Sequence, residues 1–250
     1  MRRHTSRALL LGLVLTLAAA APPARAASDD APPPTQDRLA PDGAEHLEAD
    51  LLRLRERLAE PGGPLFRYER SLRLLGESLD RGEYRQFYPW LQDEIVRPWR
   101  QIRAQEILQL ADLPPTHLNM EQRHLLLEQG LALRRIETQL RHARRLLTRL
   151  GRQDEERRRR HEELGQLVLR YQRRVQELQG VAPERAAVYR EWYDGVLAPQ
   201  VDTLEARDLK LAEPAERMLR WTEDPALREM LGRLRRVNRA MEMLRHRFDF

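Results

Sequence analysis

Apolar residues recur at the a and d positions of a heptad pattern from Leu126 to Leu178. Twelve of these sixteen positions are apolar, whereas the 41% apolar content of the whole chain would give about seven by chance. The pattern keeps one phase throughout, because Leu147 and Val168 are separated by 21 residues, which is three heptads. A turn would preserve this phase only by accident. The pattern therefore predicts one long helix over about residues 119–179.

Three exceptions to this pattern, Asp154, Arg157 and His161, lie in the highly charged stretch 149–164. This stretch could be a polar interval within the long helix, the tip of a helical hairpin at 151–163, or a nucleic-acid-binding patch. We favour the continuous helix, because the stretch lacks proline and its glutamine, glutamate and arginine residues favour helix. The hairpin is the alternative. Nucleic-acid binding is disfavoured because acids alternate with the arginines and no aromatic side chain is nearby for base stacking.

A second narrow seam covers the C-terminal segment, at about residues 225–248. All seven of its a and d positions are apolar, so this helix requires a helical partner. The long helix has the same kind of repeat, and the pattern leaves open whether the two meet within one chain or between two copies. We expect the packing to be carried by seam residues of both helices: Leu133, Leu140, Leu147, Val168, Val175, Leu234 and Met241.

The rest of the chain also favours helices over strands. It has no convincing alternating strand pattern, and glycine and proline occur as isolated breaks. The sequence predicts an all-α fold, an elongated helical bundle with an N-terminal helical subdomain at 44–113 and a long-helix domain at 116–250. The segment at about 83–113 holds five aromatic residues and two prolines, Pro89 and Pro98. The prolines should divide it into short helices, with the aromatic residues as the core of the subdomain.

The N-terminus has the features of a cleaved secretory leader at residues 1–26. Three arginines precede an apolar run of fourteen residues, and Ala24-Arg25-Ala26 supplies a cleavage site of small residues. The run is too short to span a bilayer, so we expect an exported, periplasmic protein with no transmembrane segment in the mature chain. Residues 27–43 are rich in proline and acids and are predicted to form a disordered tether. The chain has no cysteine, which excludes disulfides and thiol chemistry.

Charge is segregated along the chain. The net charge is +5, but the predicted leader carries four arginines and no acid, which leaves +1 on the rest. Segments 29–60 and 183–224 carry net charges of −5 and −4, and segments 121–150 and 225–250 carry +4 each. This alternation favours pairing of acidic with basic segments inside the chain over a basic surface for nucleic acid. The most exposed charged cluster is expected at four consecutive arginines: Arg157, Arg158, Arg159 and Arg160.

Residues that could carry chemistry are few. Glu121 and His124 have the spacing used in carboxylate-bridged dimetal bundles, but such bundles need a second motif of this kind, which the sequence lacks. The sequence also has no glycine-rich phosphate loop and no nucleophile elbow. We therefore expect no catalytic residue, no cofactor and no metal site.

The start of the long helix, Leu118–Gln122, resembles the Leu-Thr-x-x-Gln element of the small exported helical chaperones and metal-stress proteins of the Spy and CpxP type, with Asn119 in place of threonine. The resemblance covers five residues of the 250. It implies an alternative function, a periplasmic holdase chaperone or a stress- or metal-sensing helical protein.

From the residues themselves we expect a non-enzymatic scaffold or adaptor that mediates protein–protein interactions in the cell envelope. Long seamed helices offer few concave sites from which water is excluded, so they suit interaction better than catalysis. The expected partners are envelope proteins or a second copy of the chain. Nucleic acid is not expected as a partner.

Overall fold

A computed structural model describes residues 41–114 and 117–249 of the chain. These residues form an all-α bundle without a strand, which confirms the predicted fold class. π-Helical turns cover Gln92–Val96 and Tyr193–Leu197, and a 3₁₀ turn covers Arg220–Glu223. The α-helices within the described ranges are α1 (Pro41–Ala59), α2 (Pro64–Asp80), α3 (Gly82–Arg85), α4 (Phe87–Leu91), α5 (Arg97–Arg100), α6 (Ala104–Asp112), α7 (Met120–Val181), α8 (Pro183–Trp192), α9 (Ala198–Leu219) and α10 (Pro225–Phe248).

Helix α7 is continuous over 62 residues, or about 93 Å at 1.5 Å per residue. A capping box begins it, in which the Gln122 backbone N–H donates to Asn119 Oδ1 at 2.8 Å and the Asn119 N–H donates to Gln122 Oε1 at 3.0 Å. Gly151 and Gly165, which flank the polar interval, both lie inside the helix. The prediction of one long helix is therefore confirmed, and the hairpin alternative at 151–163 is wrong.

Two prolines each follow a π-helical turn. Pro98 lies two residues after Gln92–Val96, and Pro199 lies two residues after Tyr193–Leu197. A proline has no N–H to donate to the carbonyl four residues earlier. In both places the residue before the proline instead donates to the carbonyl five residues earlier. The segment 83–113 is divided into short helices, as its prolines predict.

The N-terminal half of α7 packs against α10. Leu133, Leu140 and Leu147 lie with Leu234 and Met241 in one hydrophobic cluster, and none of the five is more than 8% exposed. Side chains from α3 to α6 and from α9 complete this first cluster. The two seams predicted from the heptad pattern thus meet within one chain, and most of their side-chain area is buried in this packing.

The C-terminal half of α7 packs against α1, α2 and α8 in a second hydrophobic cluster. Tyr68 and Tyr171 are fully buried there. The seam residue Val175 is buried, and Val168 is half-buried against the same cluster. Leu211 of α9 packs against both clusters. Helices α7 and α9 therefore connect the two parts of the core.

The packing cuts across the predicted boundary between a subdomain at 44–113 and a domain at 116–250. Helix α1 and most of α2 contribute to the second cluster, whereas α3 to α6 contribute to the first. The aromatic residues of 83–113 belong to a larger core, since Tyr84 and Phe87 lie in the same hydrophobic cluster as side chains of α7 and α10. The physical reason is the length of α7, which offers an apolar face to both groups of helices.

The predicted leader at 1–26 lies outside the described residues. Residues 27–40 of the predicted tether also lie outside them, and α1 begins at Pro41, within the range predicted for the tether.

Candidate functional site

A buried polar network lies beside the polar interval of α7. Arg157 Nε and Nη2 lie 2.9 and 2.8 Å from Asp154 Oδ1, and Arg157 Nη1 donates to Asp208 Oδ1 at 2.5 Å. The Tyr68 hydroxyl donates to Asp208 Oδ2 at 2.5 Å and lies 3.0 Å from His161 Nδ1. Tyr68, Asp154, Arg157 and Asp208 are all buried. The polar interval of α7 is therefore partly buried.

Three helices bring this network together. Asp154 and Arg157 are three residues apart and share one face of α7. Tyr68 comes from α2 and Asp208 from α9, and these two residues are 140 positions apart in the sequence. The heptad pattern singles out the α7 members as polar residues at a and d positions. It contains no signal that identifies their partners on other helices.

Burial and neighbouring charges shift the pKa values of Arg157 and Tyr68. Burial acts to lower the pKa of Arg157, but hydrogen bonds and charges from Asp154 and Asp208 outweigh it and raise that pKa overall. Burial, reinforced by the hydrogen bond to Asp208, raises the pKa of Tyr68 far above its usual range. Asp154 Oδ2 is also paired with Arg158 at 2.8 Å. Each buried carboxylate thus faces a guanidinium, which offsets the cost of removing these charges from water.

The arginine cluster predicted at 157–160 is not uniformly exposed, which corrects that expectation. Arg157 is buried, and the side chain of Arg160 is only 20% exposed. Arg158 and Arg159 are exposed. Consecutive residues of a helix point about 100° apart, so four arginines in a row cannot share one face.

The network is best understood as a device that fixes how α2, α7 and α9 pack. Both oxygens of Asp154 and both of Asp208 have partners within the protein, and both carboxylates are buried. Buried ionic groups can specify one packing arrangement over its alternatives.

A groove of about 320 Å³ lies between α7 and α10, and we call it the α7–α10 groove. Its apolar side chains are those of Leu140, Leu231 and Leu234. Its exposed charged side chains are those of Arg141, Arg144 and Arg235. Because the leucines are buried or half-buried and the arginines are exposed, the apolar groups form a floor beneath a basic rim.

The basic rim is not neutralised by the chain. Within the part of the chain that the structure describes, no carboxylate pairs with Arg141, Arg144 or Arg235 at 4.0 Å or less; the ion pairs of α10 and of this half of α7 involve other residues. The one carboxylate that lines the groove, Glu137, accepts a hydrogen bond from Asn238. The rim therefore presents uncompensated positive charge to the solvent.

The ion pairs of the acidic segment 29–60 do not follow the predicted pairing of acidic with basic segments. Glu48 pairs at 3.2 Å with Arg185, which belongs to the other acidic segment, and Asp50 pairs at 3.1 Å with Arg174, which lies outside both basic segments. The two most basic segments instead pack against each other as the N-terminal half of α7 and α10. The apolar seams decide which helices meet, because buried apolar surface outweighs repulsion between arginines that water and salt screen.

The exposed face of α7 changes from apolar to basic toward the groove. Leu127, Leu131, Arg134, Arg141 and Arg145 follow at spacings of four, three, seven and four residues, which places them on one face. The two leucines are 52% and 69% exposed. Exposed leucines beside uncompensated arginines are features of a protein-binding surface.

A second groove, of about 470 Å³, lies where α5 meets the start of α10. Trp99 and Trp221 line it together with Met230. Its charged lining has both signs, and Arg233 and Glu229 pair with each other at 2.7 Å. This lining does not select a ligand by charge, so the α7–α10 groove is the stronger candidate.

The metal-like spacing at Glu121 and His124 does not build a cluster. Both side chains are exposed, and His124 Nε2 lies 3.3 Å from Glu128 Oε1. Across residues 41–114 and 117–249, no group of three or more histidine, aspartate or glutamate side chains is placed to hold a metal ion. Among the helices of these same ranges, none is long and apolar enough to cross a membrane.

No protein-family model, no curated protein and no solved structure matches the chain. The segment Leu118–Gln122, which resembles an element of Spy-type chaperones, contains the capping box of α7.

Proposed function

We propose that this protein is an exported, periplasmic, non-enzymatic scaffold or adaptor that binds a protein of the cell envelope through the surface formed by α7 and α10. The observation that carries the proposal is the α7–α10 groove, where three arginines without carboxylate partners surround a floor of leucines. The secretory features of residues 1–26 support export.

This surface lowers the stability of the isolated chain. Packing two basic helices side by side destabilises the fold through repulsion between like charges. A partner that supplies negative charge and covers the half-buried Leu231 and the exposed Leu127 and Leu131 would remove both the repulsion and the exposed apolar area. Arginine and large apolar groups are also the side chains that dominate protein–protein interfaces.

A holdase chaperone is the second candidate, and a specific observation favours it. Met120, Leu127 and Leu131 are 84%, 52% and 69% exposed at the N-terminal end of α7. An exposed apolar stretch next to arginines could hold many unfolded chains without a fixed geometry. Scaffold and holdase would use overlapping surfaces, so the range of partners distinguishes them.

Photo-crosslinking in cells tests the proposal. Probes are placed at Leu131 on α7 and Arg239 on α10. The control probe is at the exposed Glu191 on α8, a helix whose buried side chains belong to the second hydrophobic cluster. The scaffold predicts one dominant envelope protein captured at both α7–α10 sites and not at the control site. A broad set of unfolded envelope proteins would support the holdase instead, and adducts equally abundant at all three sites would contradict a specific surface.

A further inference from the structure

We infer that the α7–α10 groove binds an acidic segment of a partner protein, in which an apolar side chain lies between carboxylates. This inference rests on the proposed function and adds to it the chemistry of the partner. It follows from the charge, the depth and the size of the groove.

The charge of the rim requires an anionic ligand. Arg141 and Arg144 lie on α7 and Arg235 faces them from α10, so positive charge borders the groove on two sides. Glu137 does not compensate this charge alone, and its carboxylate is already engaged by Asn238. A guanidinium presents several N–H groups in a planar fork, a geometry that fits a carboxylate with two hydrogen bonds.

The floor of the groove favours an apolar group between the anions. Leu140 and Leu234 are 7% and 3% exposed, so the apolar area open to a partner is mainly that of the half-buried Leu231. A polyphosphate or a nucleic-acid backbone would satisfy the arginines but has no apolar side chain to cover the leucines. The residues that line the groove also include no aromatic side chain on which a base could stack.

The position of these leucines disfavours a membrane surface as the ligand. A helix that binds at a bilayer surface inserts protruding apolar side chains among the acyl chains. In the α7–α10 groove the apolar side chains are recessed below exposed arginines. A recessed floor accepts a side chain that projects from the partner. The volume of about 320 Å³ suits one or two such side chains, which is the scale of a short docking segment.

A defined peptide tests the inference on the purified protein. The probe is a blocked, fluorescein-labelled peptide of sequence Gly-Glu-Glu-Leu-Glu-Glu-Gly, and its binding is followed by fluorescence anisotropy at about 50 mM NaCl, where screening is weak. The wild type should bind it saturably. The triple variant R141E/R144E/R235E should bind at least about tenfold more weakly, because three attractive charge pairs become repulsive. Serine in place of the peptide leucine should weaken binding by about threefold or more.

A matched control separates the groove from general charge. Arg53, Arg173 and Arg207 are exposed arginines on α1, on the C-terminal half of α7 and on α9. R53E/R173E/R207E changes the net charge equally and should leave peptide binding within about twofold of wild type. The milder variant R141Q/R144Q/R235Q serves if the charge reversal disturbs folding, which circular dichroism would reveal.

Several results would overturn the inference. They are an absence of saturable binding, equal losses in the two triple variants, or indifference to the peptide leucine. Stronger binding of inorganic polyphosphate, or of equimolar phosphatidylglycerol–phosphatidylcholine vesicles, through the same three arginines would assign the groove to another anion. Self-association that is abolished by R141E/R144E/R235E would assign it to a second copy of the chain.

Failure of the inference can be told apart from failure of the proposed function. If the crosslinked envelope partner persists in R141E/R144E/R235E and the peptide does not bind, the partner uses another surface and only the inference fails. If the wild type yields no envelope partner at Leu131 or Arg239, the proposed function itself fails.

Discussion

At the scale of single residues, burial separates two neighbouring arginines that the sequence makes equivalent. Arg157 is paired with Asp154 and Asp208 inside the protein, and its side chain is 8% exposed. The side chain of Arg158 is 58% exposed. The free energy contributed by each ion pair should follow this difference, because a charge left unpaired in the interior is far more costly than one left in water.

We therefore predict that Arg157→Ala lowers the free energy of unfolding by about 3–5 kcal/mol, because it leaves buried carboxylates without their partner. Arg158→Ala should cost less than about 1 kcal/mol. Urea denaturation of both variants measures the difference. Similar losses in the two variants would contradict the burial of the network.

Tyr68 gives the protein a pH dependence on the alkaline side. The pKa of Tyr68 is raised by burial and by the hydrogen bond to Asp208, so the folded state keeps this proton at a pH where the unfolded state loses it. The unfolded state then binds fewer protons, and stability falls as the pH rises above the ordinary tyrosine pKa of about 10. Below that pH the contribution is fully present.

The expected slope for Tyr68 is up to about 1.4 kcal/mol per pH unit above pH 10, and Tyr68→Phe should remove this contribution. Denaturation of wild type and Tyr68→Phe at a series of alkaline pH values provides the test. Tyr171 is also buried with a raised pKa and remains in both proteins, so the wild-type curve should be steeper but the variant should not become flat. Parallel curves would contradict this account of Tyr68.

At the scale of elements, the glycines of α7 differ in how much space surrounds them for a larger side chain. A Cβ added at Gly165 would meet no atom within 4 Å, whereas one at Gly130 would lie 2.8 Å from Arg245 Nη2. Gly165→Ala should therefore stabilise the protein by about 0.5–1 kcal/mol through helix propensity. Gly130→Ala should gain less, because the Arg245 side chain must move. Thermal denaturation compares them, and destabilisation by Gly165→Ala would indicate a local conformation other than regular helix.

The sequence predicts the extent of α7 but not all of the contacts that its side chains make. The constant phase of the apolar positions between Leu147 and Val168 indicates one helix, and the capping residues Asn119 and Gln122 mark its start. The burial of Arg157 is not predictable in the same way, because it depends on Asp208, which lies 51 residues away on another helix. Local periodicity carries no information about that contact.

At the scale of the whole molecule, the same limit applies to the candidate site. The segment charges identify two basic stretches. Whether these stretches are neighbours in the fold depends on which apolar seams pack together, and the heptad pattern is compatible with several pairings of helices. The sequence predicts a seam at Leu140 and Leu234. It does not predict that Arg141 and Arg235 border one groove above that seam.

The groove has a consequence for the stability of the whole protein. Like charges that face each other without carboxylates between them repel, and salt screens that repulsion. R141Q/R144Q/R235Q should therefore be more stable than wild type by about 0.5–1 kcal/mol at low salt, and the difference should shrink at about 0.5 M NaCl. Denaturation at two salt concentrations measures it. Destabilisation of the variant at low salt would mean that these arginines have partners in solution.

Helix α7 passes through its polar interval without turning, so that its first half packs with α10 and its second half with α1 and α2. The most direct test is the distance between spin labels at Thr138 and Arg173, two exposed positions in a chain that has no native cysteine to compete for labelling. A continuous helix places these positions about 52 Å apart. A hairpin turning at 151–163 would bring them to about 10–15 Å. We expect dipolar spectroscopy to find the long distance of the continuous helix. A single short distance would show that α7 turns, and it would then exclude the α7–α10 groove as described.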